Sequence, residues 1–326
     1  MKNFKTILII PYFGKLKSYF PLFLQSCKFN PNINWLFLTD NEIENLPQNV
    51  IVKKMTFEEL KRLIKSKLDF EFCLEEPYKL CDFKPAYGLI FEDLICDYGY
   101  WGYCDCDLVF GNLDVFLKPF TKSGYDKIFA AGHLTLYKNT TENNRRFLGT
   151  TEENAFVYNT HKTLGFDEPF FKQRNVHEIF LNSGATVCEK DYSANPAVRK
   201  EQFVLMKYDA NERAFIEQPY RKTMYIWEEG HIKGLYVEDG MLKEEEYIYM
   251  HFQNRNMQME PSQAENAWDK YYIVPNRFIP LKKIPTTVEE WMEYDLEPKN
   301  SQLKDMRKQD WRYKRKRLKE ILLRKK

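Results

Sequence analysis

Nowhere in its 326 residues does this sequence hold the ~18 consecutive apolar residues that a membrane-spanning helix needs, which excludes an integral helical membrane protein. After Lys2-Asn3-Phe4-Lys5 only the short run Thr6 to Pro11 precedes Tyr12, too few residues for the apolar core of a secretory signal. The seven cysteines are odd in number and scattered, which argues against a disulfide framework and for a reducing compartment. No internal repeat is present and no low-complexity tract outside the C-terminal end, so a solenoid is excluded. These absences together lead to the expectation of a cytoplasmic protein that is neither secreted nor integral to a membrane.

What is present is enough apolar material for a substantial core. Hydrophobic residues make up 44% of the chain, and its length suits one large domain or a domain plus an appendage. Aromatics reach 16%, which fits either an aromatic core or a cleft that stacks sugars or bases. The net charge of +2 hides an asymmetry: residues 301–326 carry 12 Lys or Arg against three acids, a local +9, so the first 300 residues carry −7.

Thr6-Ile7-Leu8-Ile9-Ile10-Pro11 is a continuous apolar run ended by proline, the pattern of a strand buried on both faces. Residues 18–28 place Phe20, Phe23, Leu24 and Cys27 at helical spacing behind a Ser18 N-cap, with Pro21 in the first turn. Trp35 to Asp40 reads as a second strand and Ile51 to Met55 as a third. A helix from Thr56 to Asp69 opens with a Thr56/Glu59 capping box. A helix near 86–96 and a strand from Tyr100 to Phe110 follow. This alternation predicts an α/β fold, a mostly parallel sheet with helices on both faces and ligands beyond the carboxyl ends of its strands. The second half is less regular: a helix near 151–163, hairpins around Gly230, Gly234 and Gly240, and a late strand over Tyr247 to Phe252.

The sharpest chemical signal is Asp105-Cys106-Asp107 within Trp101 to Leu113. In an extended chain residues i and i+2 share a face, so both carboxylates meet one point. Two such charges are unfavourable together unless a cation neutralises them, and a hard divalent ion, Mn²⁺ or Mg²⁺, with phosphate oxygens completing its shell is the natural partner. Cys81, Cys104 and Cys106 make no case for zinc, because a lone Cys-x-Cys lacks a second pair.

These residues also carry a resemblance. Through Ile10-Pro11-Tyr12-Phe13-Gly14, Phe37-Leu38-Thr39-Asp40, Tyr78 to Gly88, Trp101 to Asp107 and Gly132-His133-Leu134, the sequence resembles bacterial GT-A glycosyltransferases, in particular a family found among capsule and lipopolysaccharide biosynthesis proteins. The match is dense over about residues 5–135. Later islands are Phe166-Asp167-Glu168 and Met250-His251-Phe252-Gln253-Asn254-Arg255. The resemblance implies a GT-A-like, Rossmann-like nucleotide-sugar-binding half (1–135), an acceptor-binding half of the same domain (136–296) and a basic amphipathic C-terminal tail (297–326). It implies Asp107 as a direct metal ligand, Asp105 on the donor ribose or on the metal through water, and His251 as a late ligand to the same ion. A hydrogen-bonded core histidine is the plainer account of His251.

Around that motif, Pro11, Tyr12 and Phe13 at the first strand tip are positioned to flank a nucleobase, and Asp40 at the second to accept a hydrogen bond from base or ribose; loop packing and a turn cap are the alternatives. Lys79, Asp82 and Lys84 lie on a loop entering a helix, where a cation meets phosphate, or they are solvated loop charges. His133 faces donor sugar or diphosphate, or is structural. Asp167 and Glu168 are the acidic pair suited to activating an acceptor hydroxyl, which only an inverting enzyme needs; otherwise they are exposed turn acids.

The expected function is transfer of a sugar from a nucleotide sugar, a UDP-sugar first, to a saccharide or lipid-linked acceptor in surface-polysaccharide synthesis. Trp311, Leu318, Ile321 and Leu322 recur at roughly helical spacing among the tail's cations, the pattern of a helix lying on an anionic membrane surface at the cytoplasmic face. Two other classes compete: a non-catalytic assembly protein on that membrane, and a nucleic-acid binder acting through residues 301–326. Nucleic acid is not the expected partner, since the body is acidic and lacks a nucleic-acid-binding module.

Overall fold

The computed structural model describes residues 5–169, 175–198, 200–253, 255–262 and 266–298, with Arg307, Lys308, Trp311 and Arg315 beyond them. The amphipathic tail expected over 301–326 therefore lies almost wholly outside the described residues. Among those described, no helix is long and apolar enough to cross a membrane, and the seven cysteines form no disulfide.

The first half builds β1 (Thr6–Pro11), β2 (Ile33–Thr39), β3 (Val50–Lys54), β4 (Tyr100–Cys104), β5 (Leu108–Phe110), β6 (Lys127–Ile128) and β7 (Leu134–Lys138), and β8 (Val187–Cys188) follows later. All but β5 join one seven-stranded sheet in the order β3-β2-β1-β4-β7-β6-β8. β3, β2, β1 and β4 run parallel, β7 is antiparallel to β4 and to β6, and β8 pairs parallel with β6. The fold is thus mixed α/β with a largely parallel sheet, as the apolar runs required, and β7 straddles residue 135.

Strand alternation sends Ile7, Ile9, Leu36, Leu38, Trp101 and Tyr103 to one face of the sheet and Leu8, Ile10, Trp35, Phe37 and Tyr100 to the other. The second face is covered by α1 (Phe20–Lys28), and the first by α2 (Phe57–Lys67) and three short helices, α3 (Leu80–Phe83), α4 (Tyr87–Ile90) and α5 (Glu92–Ile95). In chain order come α6 (Leu113–Ser123), on the second face, then α7 (Thr151–Tyr158) and α8 (Val176–Asn182), on the first. The Thr56/Glu59 capping box forms as expected. α1 begins at Phe20 with no side-chain cap, so the Ser18 cap is a correction, though Pro21 does occupy the first turn. The single helix expected over 86–96 is instead a string of short turns: Pro85 lies in a 3₁₀ turn just before α4, and Phe91 breaks the helix between α4 and α5.

The remaining strands form a second layer: the hairpin β9 (Met206–Asp209) and β10 (Ala214–Glu217), then β11 (Thr223–Glu228), β12 (His231–Glu238), β13 (Met241–Tyr247), β14 (Tyr249–His251), β15 (Gln258–Met259), β16 (Lys270–Val274) and β17 (Arg277–Pro280). β11 to β13 and β15 to β17 make a six-stranded sheet whose aromatic face, with Tyr225, Trp227 and Tyr271, packs on Tyr19 and Leu22 at the start of α1. Its opposite face is closed by α9 (Val288–Met292) through Trp291. β14 leaves this sheet to pair with β5, and that departure builds the site.

Candidate functional site

In the strand order, β1 continues to β2 on one side while β4 lies on its other side, so the connections reverse between β1 and β4. A crevice opens at such a point beyond the strands' carboxyl ends, the usual ligand position in open α/β sheets. Pro11 ends β1 there with Tyr12 just beyond it, and Asp105-Cys106-Asp107 follows directly on β4.

The expected unbroken strand over Tyr100 to Phe110 does not form. β4 stops at Cys104, the chain bends through 105–107, and β5 starts a separate ladder with β14. The two carboxylates converge by this bend and not by strand alternation. The bend is pinned at each end: the Asp105 N–H donates to His133 O (3.2 Å) and the Phe252 N–H to Asp107 O (2.8 Å). Cys106, between them, is buried in the core.

The β5–β14 register sets His251 opposite Leu108, beside Asp107, although 144 residues separate the histidine from that aspartate. His251 Nε2 lies 3.1 Å from Asp107 Oδ1 and 3.6 Å from Asp105 Oδ2. Its Nδ1 lies 3.2 Å from Asn195 Oδ1, an oxygen that also accepts from Gln253 Nε2 at 2.8 Å. Both ring nitrogens thus face oxygen acceptors, Asn195 Oδ1 at Nδ1 and the two carboxylates at Nε2; a metal ion on Nε2 would leave the ring proton on Nδ1 for Asn195. A cation at the meeting point would use all three groups. Their ligand atoms lie within 4.8 Å of one another, and two carboxylates with one imidazole suit Mn²⁺ or Mg²⁺. Asn195 then holds the imidazole from its far side, as outer partners of metal-bound histidines do.

Lys84 occupies the centre of the acidic site. Its Nζ donates to Asp105 Oδ1 (2.7 Å), Asp167 Oδ2 (2.8 Å) and Gly132 O (3.0 Å). Burial opposes its charge, but the Asp105 and Asp167 carboxylates outweigh burial and hold the ammonium well above the ordinary lysine value. Asp105 thus spends one oxygen on Lys84 and turns the other toward His251. Asp167 is buried and Glu168 mostly so, which removes the exposed-turn reading of the pair. Burial raises both carboxyls; Lys84 pulls Asp167 back, while Glu168, also pushed by Asp167, rises to about 8. Glu168 Oε2 is buried without a hydrogen-bond partner. The pair approaches so closely because residue 132 is glycine: a Cβ there would sit 2.5 Å from Asp167 Oδ2 and 2.9 Å from Glu168 Oε1.

His133 is buried, with Nδ1 2.6 Å from Tyr249 OH and its ring stacked 4.5 Å from that of His251. Burial, then His251 and Lys84, keeps it neutral, its pKa well below the ordinary value. Its Nε2 is buried without a partner. Next to Tyr249, a shallow depression is lined by Ala130, Ala131, Asp191, Ser193, Tyr208 and Tyr249.

The other expected residues lie as follows. Tyr12 borders the Asp pair: burial first, then Cys106 and Asp107, raise its hydroxyl to about 12, and that hydroxyl donates to Lys15 O. Phe13 instead packs on Phe57, ring centres 5.6 Å apart, and Asp40 is exposed at the tip of β2. Lys79 and Asp82 are neither solvated nor open to a phosphate. Lys79 Nζ is buried and satisfied by Asp82 Oδ2, Val157 O and Lys162 O, and Asp82 accepts the backbone N–H groups of Leu164, Gly165 and Phe166. Together they clamp the loop that delivers Asp167. This corrects the phosphate reading of both: the buried charges satisfy one another and the backbone.

Asn195, Tyr249 and Gln253 are site residues that sequence reasoning missed. Tyr249 was findable, being two residues before His251 in a strand and so on its face; Asn195 carried no signal beyond a polar turn.

No curated protein matches the chain. A family model does, over residues 8–282, a span that takes in every residue of this site. The chain belongs to that family, described as a family of unknown function (DUF6625).

Proposed function

We propose that the chain is a metal-dependent glycosyltransferase of GT-A type, moving a sugar from a nucleotide-diphosphate sugar, a UDP-sugar first, to a saccharide or lipid-linked acceptor of surface-polysaccharide synthesis. The observation that carries this reading is the convergence of Asp107 Oδ1, His251 Nε2 and Asp105 Oδ2 beyond the carboxyl ends of β1 and β4. Asp107 and His251 would hold Mn²⁺ or Mg²⁺ directly, with Asp105 beside them. The ion supplies charge stabilisation to the diphosphate leaving group as the glycosidic bond breaks.

The protein's own groups do the rest. Lys84 orients Asp105 through the 2.7 Å hydrogen bond to its Oδ1. Tyr12, at the tip of β1, offers a ring face to the nucleobase. His133 would turn an Nε2–H toward a donor oxygen, its Nδ1 accepting a hydrogen bond from the Tyr249 hydroxyl. Of the two acids, Asp167 is bound to Lys84, so Glu168 is the better suited to exchange a proton with an acceptor hydroxyl, its pKa lying near neutrality. The basic segment 301–326 enters as the membrane contact on its charge alone.

Thermal-shift titration with uridine and guanosine diphosphates, with and without Mn²⁺, tests the reading. Diphosphate and Mn²⁺ together should stabilise the protein by about 2.7 kcal/mol at a hundredfold excess over the dissociation constant, neither alone should match this, and Asp107→Ala should abolish it. No stabilisation by either diphosphate with Mn²⁺ would remove the reading.

A further inference from the structure

Outside this site, three metal-ligating side chains of different chemistry meet at one atom. Cys73 and Glu75 lie between α2 and α3, and His161 lies just beyond α7. Cys73 Sγ is 2.9 Å from His161 Nδ1, and Glu75 Oε2 is 3.0 Å from the same nitrogen. The three ligand atoms lie within 4.8 Å of one another. Cys73 is a free thiol, and the two partner side chains are well exposed, so an ion reaches them from solvent.

The arrangement is not that of an activated cysteine nucleophile. There, the thiol faces one ring nitrogen and the orienting carboxylate the other, so that the imidazole relays between them. Here sulfur and carboxylate both approach Nδ1, which carries at most one proton and satisfies only one of them. Three donors around a common point is the geometry of a bound ion. A thiolate, an imidazole and a carboxylate select a borderline-soft ion over Mn²⁺ or Mg²⁺, and three protein ligands with a fourth position left to water is a common zinc arrangement.

We propose that Cys73, Glu75 and His161 form a Zn²⁺ site separate from Asp105, Asp107 and His251. The site joins two segments that the fold already ties together nearby. The Cys73 N–H donates to Tyr158 O at 2.7 Å, and Lys79 Nζ reaches Val157 O and Lys162 O at 2.8 Å each, on either side of His161. Next along the chain, Asp82 holds residues 164–166 through their backbone N–H groups, immediately before Asp167 and Glu168. A zinc ion at this point is a clip on the outer end of the strap that presents the acidic pair. The proposal does not depend on the glycosyltransferase reading.

The test is titration of the full-length, reduced protein with Co²⁺, read by the near-ultraviolet thiolate-to-cobalt charge-transfer band. The wild type and Asp107→Ala should both give the band, since the Asp105–Asp107–His251 donor set contains no sulfur. Zn²⁺ should displace it and Mn²⁺ should not. Cys73→Ser should lose the band, and His161→Ala should weaken Co²⁺ binding at least about tenfold, the smallest loss that even an outer partner's removal brings. Cys96→Ser, at the exposed cysteine far from this cluster in sequence, should change nothing. A wild type without the band, a band that survives Cys73→Ser, or one lost in Cys96→Ser would each overturn the assignment.

Discussion

Asn195 touches no expected substrate, yet with a metal ion on His251 Nε2 it is the group that would accept the hydrogen bond of the ring proton on Nδ1. Its Oδ1 lies 3.2 Å from His251 Nδ1 and is fixed as an acceptor by Gln253 Nε2. Asn195→Ala removes that acceptor, and the imidazole is then free to rotate or to take its proton on Nε2, the atom facing the carboxylates. Loss of an outer partner of this kind lowers metal affinity about 10- to 100-fold, or roughly 1.4–2.7 kcal/mol. Asn195→Asp keeps an acceptor and adds charge behind the ring, so affinity should be retained or raised. Electron paramagnetic resonance of free Mn²⁺ across a titration gives the dissociation constants directly. Equal affinity in Asn195→Ala and wild type, with His251→Ala losing it, would refute the orienting role. Equal affinity in all three would remove His251 from the metal set altogether.

Lys84→Met should be costly, because it leaves the Asp105 and Asp167 carboxylates facing each other without their shared cation. Unfolding by denaturant at pH 7 should show a loss of about 3–5 kcal/mol, and the double variant with Asp167→Asn should recover a large part of it. Gly132→Ala pushes a methyl into Asp167 and Glu168 and should lose about 1–3 kcal/mol by the same measurement. Lys127 offers a pH test away from the metal groups. It is buried, donates to Phe129 O, and lies 3.1 Å from His177 Nδ1; burial lowers its pKa from 10.5 to about 7, against the smaller opposing pull of Glu189. The unfolded chain therefore binds more protons between pH 7 and 10.5, so this group's contribution is present at high pH and is lost as pH falls toward 7. The difference is at most about 5 kcal/mol. Lys127→Met should flatten that slope, and an unchanged stability profile across pH 7–10 would show that the ammonium is not buried at such a cost.

The sequence disclosed the sheet because both of its faces are covered. Strands buried on both sides must be apolar at every position, and Thr6 to Pro11 and Trp35 to Thr39 stand out for that reason. It disclosed Asp105 and Asp107 because two acids in an apolar stretch are out of place unless something holds them. The reason offered for their convergence was wrong: the chain bends at 105–107, since β5 is recruited by β14, and no local pattern reports a partner 139 residues further on. The same long-range pairing made His251 ambiguous in the sequence, where a ligand and a core histidine look alike. Lys79 and Asp82 failed for a related reason. A charged side chain reads as exposed by default, and only the folded chain shows Val157 O, Lys162 O and the 164–166 backbone waiting for them. Asp167 and Glu168 erred in the same direction, as turn acids that are in fact covered. Asp167 and Glu168 are themselves the acids suited to proton transfer, and Lys79 and Asp82 clamp the loop that presents them. Burial of ionisable side chains is thus the physical feature that marks this region of the fold, and it is the feature that local sequence conveys least: apart from the Lys79–Asp82 pair, the groups that satisfy these charges, Lys84 for Asp167 and the backbone of residues 157–166 for Lys79 and Asp82, lie far off in the chain.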